Sequence, residues 1–205
     1  MYEDDAIYKL TDKISTGNYF IVAPKVILPN GEIQESNKIK RPNYIHYLKN
    51  ETYLNKFFRD KNVEKENKRE VYWVAGCCFA VNLKMFQKIN FFDKNTFLYY
   101  EEYIISEKAL KEKFRILYDP SIKVIHHHGI SMGDVNVNIY LEHFRSEMYY
   151  WIRYRKINKV QAFIIYIIRN LEIKISLNKR KRNSEYSTFK ENSKSILEEI
   201  NRKYR

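Results

Sequence analysis

Two cysteines, adjacent at Cys77 and Cys78, are all the thiol chemistry that 205 residues hold. Neighbouring thiols cannot staple distant parts of a fold, and this pair has no metal-ligand spacing, so a disulfide framework and a cysteine zinc site are both excluded. Their apolar setting predicts reduced, buried packing residues. No apolar leader follows Met1, where the chain reads YEDDAIYKL. The longest glycine-free apolar run, 162–168, is well short of the roughly 20 residues that a spanning helix needs. Internal repeats are missing as well. These absences predict an intracellular chain that does not cross a membrane.

What is present is aromatic and unevenly charged. Eighteen tyrosines and twelve phenylalanines exclude a disordered chain and provide for one ordinary domain, or a domain with a tail. The formal charge is +12, but residues 139–205 carry sixteen basic against seven acidic side chains, which leaves only +3 for the first 138. A near-neutral globular part with a basic C-terminal region implies partners that bear phosphate. The basic region has no recognisable RNA-binding motif, so nucleic acid is not an expected partner.

Taken in order, the periodicity of Ile7, Leu10 and Ile14 predicts a first helix ending at Gly17-Asn18. The acidic pair Asp4-Asp5 reads as a dipole-favoured helix start. Two short strands separated by Pro24 follow, then a turn at Pro29-Asn30-Gly31. Residues 34–70 are polar with interspersed aromatics, including Tyr44, Tyr47, Tyr53, Phe57 and Phe58, and predict a surface excursion flanking an acceptor groove. Strands are expected at 71–74 and 78–81, with Gly76 between them where backbone can approach a ligand or neighbour. A helix over 83–89 turns Leu83, Phe86 and Ile89 inward, and a second over 104–113 does the same with Ile104, Ile105, Ala109 and Leu110. Short strands at 115–118 and 122–126 flank a turn at Asp119-Pro120-Ser121. Residues 139–171 read as one long helix, with an apolar strip bracketed by Arg153, Arg155, Lys156 and Lys159 on one side and Arg169, Lys174 and 179–182 on the other. Such a strip suits a membrane interface, or equally a helix packed on the domain with its charged face in water. The tail, 183–205, is polar, with Phe189, Ile196, Leu197 and Ile200 at loose helical spacing.

The chemistry concentrates in 71–131. Glu101 and Glu102 are adjacent, so on a helix they point about 100° apart and only one can face a given cleft. The aromatic run Phe97, Leu98, Tyr99, Tyr100 would half-bury that one, and desolvation makes a carboxylate a better general base. The same pair also reads as two exposed glutamates at a helix N-terminus. At the other end stand His126, His127 and His128. On a strand His126 and His128 share one face, and a single facing imidazole suits a divalent ion alongside carboxylates and phosphates. A histidine ending a strand also serves as an ordinary hydrogen-bonding residue.

The order of these features resembles the C-terminal half of family 2 glycosyltransferases, rhamnosyltransferase-like enzymes of the GT-A fold. It is carried by Trp73-Val74-Ala75-Gly76, Phe92-Asp93, Phe97-Leu98-Tyr99-Tyr100-Glu101-Glu102, and Val124-Ile125-His126-His127-His128-Gly129 with Ser131. The resemblance implies an α/β fold, a partial GT-A-like mixed sheet flanked by helices over 1–135, followed by a basic amphipathic helical extension over 136–205. It implies inverting transfer of a sugar from a nucleotide-sugar to a saccharide or lipid-linked acceptor in bacterial surface polysaccharide synthesis, at the inner face of the cell membrane. The family's second acid is the base, which falls on Glu102, with Glu101 in support. Trp73, Gly76, Asp93, Tyr100 and Lys108 would line the cleft, and His126, with His128 second, would ligate Mn2+ or Mg2+. Where the family often has another Asp and an Arg, this chain has Ile104 and Lys108.

The family also has an N-terminal nucleotide-binding half ending in Asp-x-Asp, which supplies the remaining metal ligands, and no Asp-x-Asp occurs in these residues. The resemblance therefore implies an acceptor-side half that works with a partner half. The other reading is a catalytically inactive module that binds a partner transferase or an anionic membrane.

Overall fold

The computed structural model describes residues 5–52, 67–127 and 136–205. The fold is α/β, with a mixed sheet flanked by helices. The chain folds as two compact units. The first comprises Met1–Arg41, Asn62–Asp93 and Glu102–Gly133, and the second Pro42–Lys61, Lys94–Glu101 and Asp134–Arg205.

In the first unit, α1 (Ala6–Thr16) is closed by Gly17, whose N–H donates to the Lys13 carbonyl. Ala6 and Leu10 are buried, but Ile7 is exposed, so the inward face is rotated from the expected one. Strand β1 (Ile21–Ile27) is central: it runs parallel to β6 (Ile116–Ile125) and antiparallel to β5 (Ala80–Val81), while β3 (Arg69–Val71) pairs antiparallel with β6. A second small sheet pairs β2 (Asn37–Lys38) with β4 (Trp73–Val74). The run expected as one strand over 71–74 thus divides between two sheets at Tyr72.

Pro24 does not split β1. The strand passes straight through it, because pairing with β5 covers only Ile21 and Val22 and no ladder donor is needed at Pro24 on that side. The two strands expected around Asp119-Pro120-Ser121 are likewise one. The register jumps from Pro24↔Asp119 to Lys25↔Lys123, so the intervening residues bulge out of β6. Asp119 stabilises the bulge by accepting from the Ser121 N–H at 3.1 Å and the Ser121 hydroxyl at 2.5 Å.

Alternation along β1 sends Ile21 and Ala23 into one core and Val22 and Val26 into another, one on each face of the sheet. The first core is shared with Ile105 and Ala109 of α4 (Glu101–Lys111) and Ile89 beyond α3 (Leu83–Lys88); the second with Ala6 and Leu10 of α1. A strand buried on both faces has no polar alternation, and in IVAPKVI Lys25, itself buried, is the one charged residue. Leu83 and Leu110, expected inward, are exposed.

The second unit contains α2 (Tyr44–Asn50), capped by the Asn43 side chain, and the C-terminal helices. The long helix expected over 139–171 is broken. Helix α5 (Val137–Tyr149) runs into a π-helical turn, Tyr150–Tyr154, and α6 (Lys159–Lys179) restarts after it. The restart is set by Asn158, whose side chain accepts from the Gln161 N–H while Gln161 reaches back to the Asn158 N–H, a reciprocal cap. The polar tail is a full helix, α7 (Ser184–Tyr204), which buries Phe189, Ile196, Leu197 and Ile200.

Candidate active site

The site is built where the parallel strands β1 and β6 end together. The backbone N–H of His126 donates to the Ile27 carbonyl at 2.9 Å, which fixes the histidine just past β6. Beyond β1 the chain turns through Gly31, at φ +86° where a side chain would be strained, and returns so that Gln34 N–H reaches the Val26 carbonyl. The Gln34 side-chain oxygen then lies 2.8 Å from His126 Nδ1. A proton on Nδ1 satisfies that oxygen and leaves the ring lone pair on Nε2, the tautomer a divalent metal binds. Two residues on, the Ser36 carbonyl accepts from Ala75 N–H at 2.9 Å, and Ala75 leads directly into Gly76.

At Gly76 the two expected motifs meet. The Gly76 N–H donates to Glu102 Oε1 at 2.9 Å, across 26 positions of sequence. A Cβ on residue 76 would stand 2.3 Å from that oxygen. Glycine is therefore the residue that lets backbone approach the carboxylate, and the N–H sets the direction in which the carboxylate points. A path of contacts thus runs from His126 through 34–36 to Gly76 and Glu102, and His126 stands at the end at which open α/β sheets place their ligands.

Trp73 and Tyr103 stack with ring centroids 5.2 Å apart and 26° between planes. Lys38 lies over both rings, at 5.3 and 5.4 Å, and donates to the Tyr103 hydroxyl at 2.7 Å. The Trp73 indole N–H is buried without a hydrogen-bond partner. One turn further along α4, Glu107 is buried and accepts from Arg41 Nε at 2.8 Å and the Tyr72 hydroxyl at 2.7 Å. These contacts brace α4 against the segment that carries Trp73 and Gly76. Lys108 donates to the Phe91 carbonyl at 2.8 Å. Burial holds its ammonium below the ordinary lysine range, and the charge of Asp93 works in the opposite sense.

Glu101 and Tyr100 belong to the second unit. Burial raises the Glu101 carboxyl above the ordinary glutamate range, and its Oε2 is buried without a hydrogen-bond partner. Tyr100 is buried, and its hydroxyl donates to Glu147 Oε1 at 2.8 Å. Tyr99 and Tyr100 both hold positive φ, 66° and 63°, immediately before α4, a conformation that costs non-glycine residues on the order of 1 kcal/mol or more each. His128, with Gly129 and Ser131, lies outside the described residues. Cys77, expected to be buried, is exposed, and both thiols are free. Burial of the sulfur still raises the Cys77 thiol above its ordinary range, with Cys78 and Glu102 adding to it.

Among the described residues no group of three or more His, Cys, Asp or Glu side chains could hold a metal ion. These described residues offer one imidazole, not a metal centre.

Lys38, Gln34, Tyr103, Arg41 and Glu107 were not expected at the site. Tyr103 and Glu107 carry a legible signal, an i, i+4 pair on the helix that Glu101 opens. Gln34, Lys38 and Arg41 sit in a polar stretch with no local sign of what they meet.

No family model matches the chain, and no curated protein matches it. Among solved structures, the chain is similar to a crystal structure of GalNAc-T7 with UDP, GalNAc and Mn2+. The two are 16% identical with a TM-score of 0.45, over 95% of this chain and 38% of that one. This chain therefore spans less than half the length of that protein, and the bound molecules belong to that protein.

Proposed function

We propose that the chain is the acceptor-side half of an inverting glycosyltransferase of the family 2 type, with Glu102 as its general base. The observation that supports this reading is the Gly76 N–H bond to Glu102, which brings residues of two of the motifs into contact. Glu102 takes the proton from an acceptor hydroxyl as that oxygen forms its bond to the sugar's anomeric carbon. The bond from that carbon to the diphosphate breaks, and the diphosphate leaves with the electron pair. The stacked Trp73–Tyr103 pair offers a flat apolar surface on which an acceptor sugar ring can rest. Lys38, Asp93 and Lys108 supply polar contacts. A divalent metal, when bound, neutralises charge on the diphosphate; His126 would contribute one ligand, with His128 second, and the other ligands come from an Asp-x-Asp segment outside these residues. The enzyme works at the inner face of the cell membrane on polysaccharide acceptors.

The test is sugar transfer from nucleotide-sugars with Mn2+, for the full chain with and without a partner segment bearing Asp-x-Asp. Glu102→Gln keeps the shape and the Gly76 bond but cannot take a proton, so kcat falls about 10²–10⁴-fold with KM little changed. Full activity in Glu102→Gln overturns the assignment of the base. Absence of transfer with every donor and partner segment overturns the enzymatic reading.

A further inference from the structure

Helix α6 is apolar on two sides. Ala162, Ile165, Tyr166 and Leu177 are buried within the second unit, as expected of a packed helix. Val160, Phe163, Ile164, Ile167, Leu171 and Ile175 are not: each is between 39% and 67% exposed. At 100° per residue these six fall within about a third of the helix circumference, and they run for about 22 Å along the axis. Phe163 is held in place by stacking on Tyr166, with centroids 5.8 Å apart.

The charges on α6 have one sign at the surface. Lys159, Lys174 and Lys179 are exposed, whereas Glu172, the one acid in the helix sequence, is buried against Arg169. Arg169 was expected among the flanking cations. It is turned inward instead, paired with Glu147 and Glu172 and only 13% exposed. The exposed face therefore combines a long apolar stripe with lysines and carries no carboxylate. A second copy of this chain on the same face would set lysine against lysine with nothing to neutralise them. An anionic bilayer meets those lysines with phosphate while its acyl boundary takes up the stripe.

We infer that this face of α6 is a docking surface for an anionic lipid bilayer, with the helix lying in the interface. Among the described residues no helix is long and apolar enough to cross a membrane, and a stripe on one face needs no crossing. The inference gives the membrane association in the proposed function a surface, and it is read out separately from sugar transfer.

The experiment is flotation of the full chain with phosphatidylcholine vesicles containing roughly a third phosphatidylglycerol, beside vesicles of phosphatidylcholine alone. The chain floats with the anionic vesicles and is released by high salt. Ile167→Gln with Leu171→Gln weakens partitioning about tenfold or more. Both positions are exposed, so far-UV circular dichroism is unchanged. Lys159→Glu with Lys174→Glu lowers binding severalfold at low salt. Equal binding to neutral vesicles, or undiminished binding by the Ile167/Leu171 variant, overturns the inference. So does sedimentation showing a dimer that this variant dissociates while the native chain ignores vesicles.

Discussion

Glu102 and Glu147 stand in different units, and their surroundings differ more than their chemistry does. Glu102 is half-buried and accepts from the Gly76 backbone N–H. Glu147 is fully buried and is gripped from several directions: Tyr47 and Tyr100 donate hydroxyls, and Arg169 donates from Nε at 2.8 Å and Nη2 at 2.7 Å. Burial alone would raise the Glu147 carboxyl, but the charge and hydrogen bonds of Arg169 prevail and hold it at about 2. Its neighbour His143 is kept below the ordinary imidazole range, chiefly by burial. A carboxylate buried and enclosed in this way is architecture, because a ligand would have to displace partners it already has. Glu102, half-buried and oriented by the Gly76 N–H, keeps the access to solvent that Glu147 has lost.

The chain carries two tryptophans, Trp73 in the first unit and Trp151, fully buried, in the second, so each unit can be followed on its own. The largest expected effect is on the Glu147 side. Arg169→Met leaves a buried carboxylate without its cation and should cost about 3–5 kcal/mol of stability. The measurement is urea unfolding followed through Trp151 in a Trp73→Phe background, and a shift under about 1 kcal/mol would dissolve the contrast between the two glutamates.

The second expectation concerns acid. Because the Glu147 carboxyl lies below its ordinary 4.5, its contribution is present above that pH and is lost as pH falls from about 4.5 toward about 2. The amount is on the order of 3 kcal/mol. Trp151 unfolding midpoints should therefore fall steeply across that window, and a flat profile there contradicts the pairing.

The smallest effect belongs to Glu102. Gly76→Ala forces the carboxylate aside and should cost about 1 kcal/mol, the worth of a hydrogen bond to a charged group less what relaxation recovers. In combination with Glu102→Ala the added cost should vanish, since the clashing oxygen is gone. Strict additivity in that cycle would mean that the two residues do not meet as described.

Much of the fold was readable because local signals agreed with it. Gly17 closed α1, a short helix was expected and found from Leu83, and the apolar spacing of 104, 105 and 109 marked the buried face of α4, whereas the Asn43-capped helix lay in a stretch read as a surface excursion. What misled were signals whose meaning depends on neighbours. Pro24 and Pro120 punctuate a sequence, yet one sits where no strand needs its N–H and the other in a bulge. The apolar strip of α6 gave no warning of the break before it, although Asn158 and Gln161 stand at capping-box spacing. At the site, Glu102 and Gly76 could be singled out by motif order. Gln34 and Lys38 could not, because long-range pairing alone brings them to His126 and Tyr103. Arg169 looked like a surface cation for the same reason, since its partner Glu147 lies 22 positions away on another helix.

The division into units has a consequence for how this protein can be cut or recombined. The backbone passes from one unit to the other after Arg41, Lys61, Asp93, Glu101 and Gly133. No single incision frees either unit, and no contiguous stretch of gene encodes one. A fragment beginning at Asp134 would keep Glu147 and Arg169 but lose Tyr47 and Tyr100, two of the donors that close around that carboxylate. Shuffling, limited proteolysis and chimera building should therefore keep the interleaved segments of both units together.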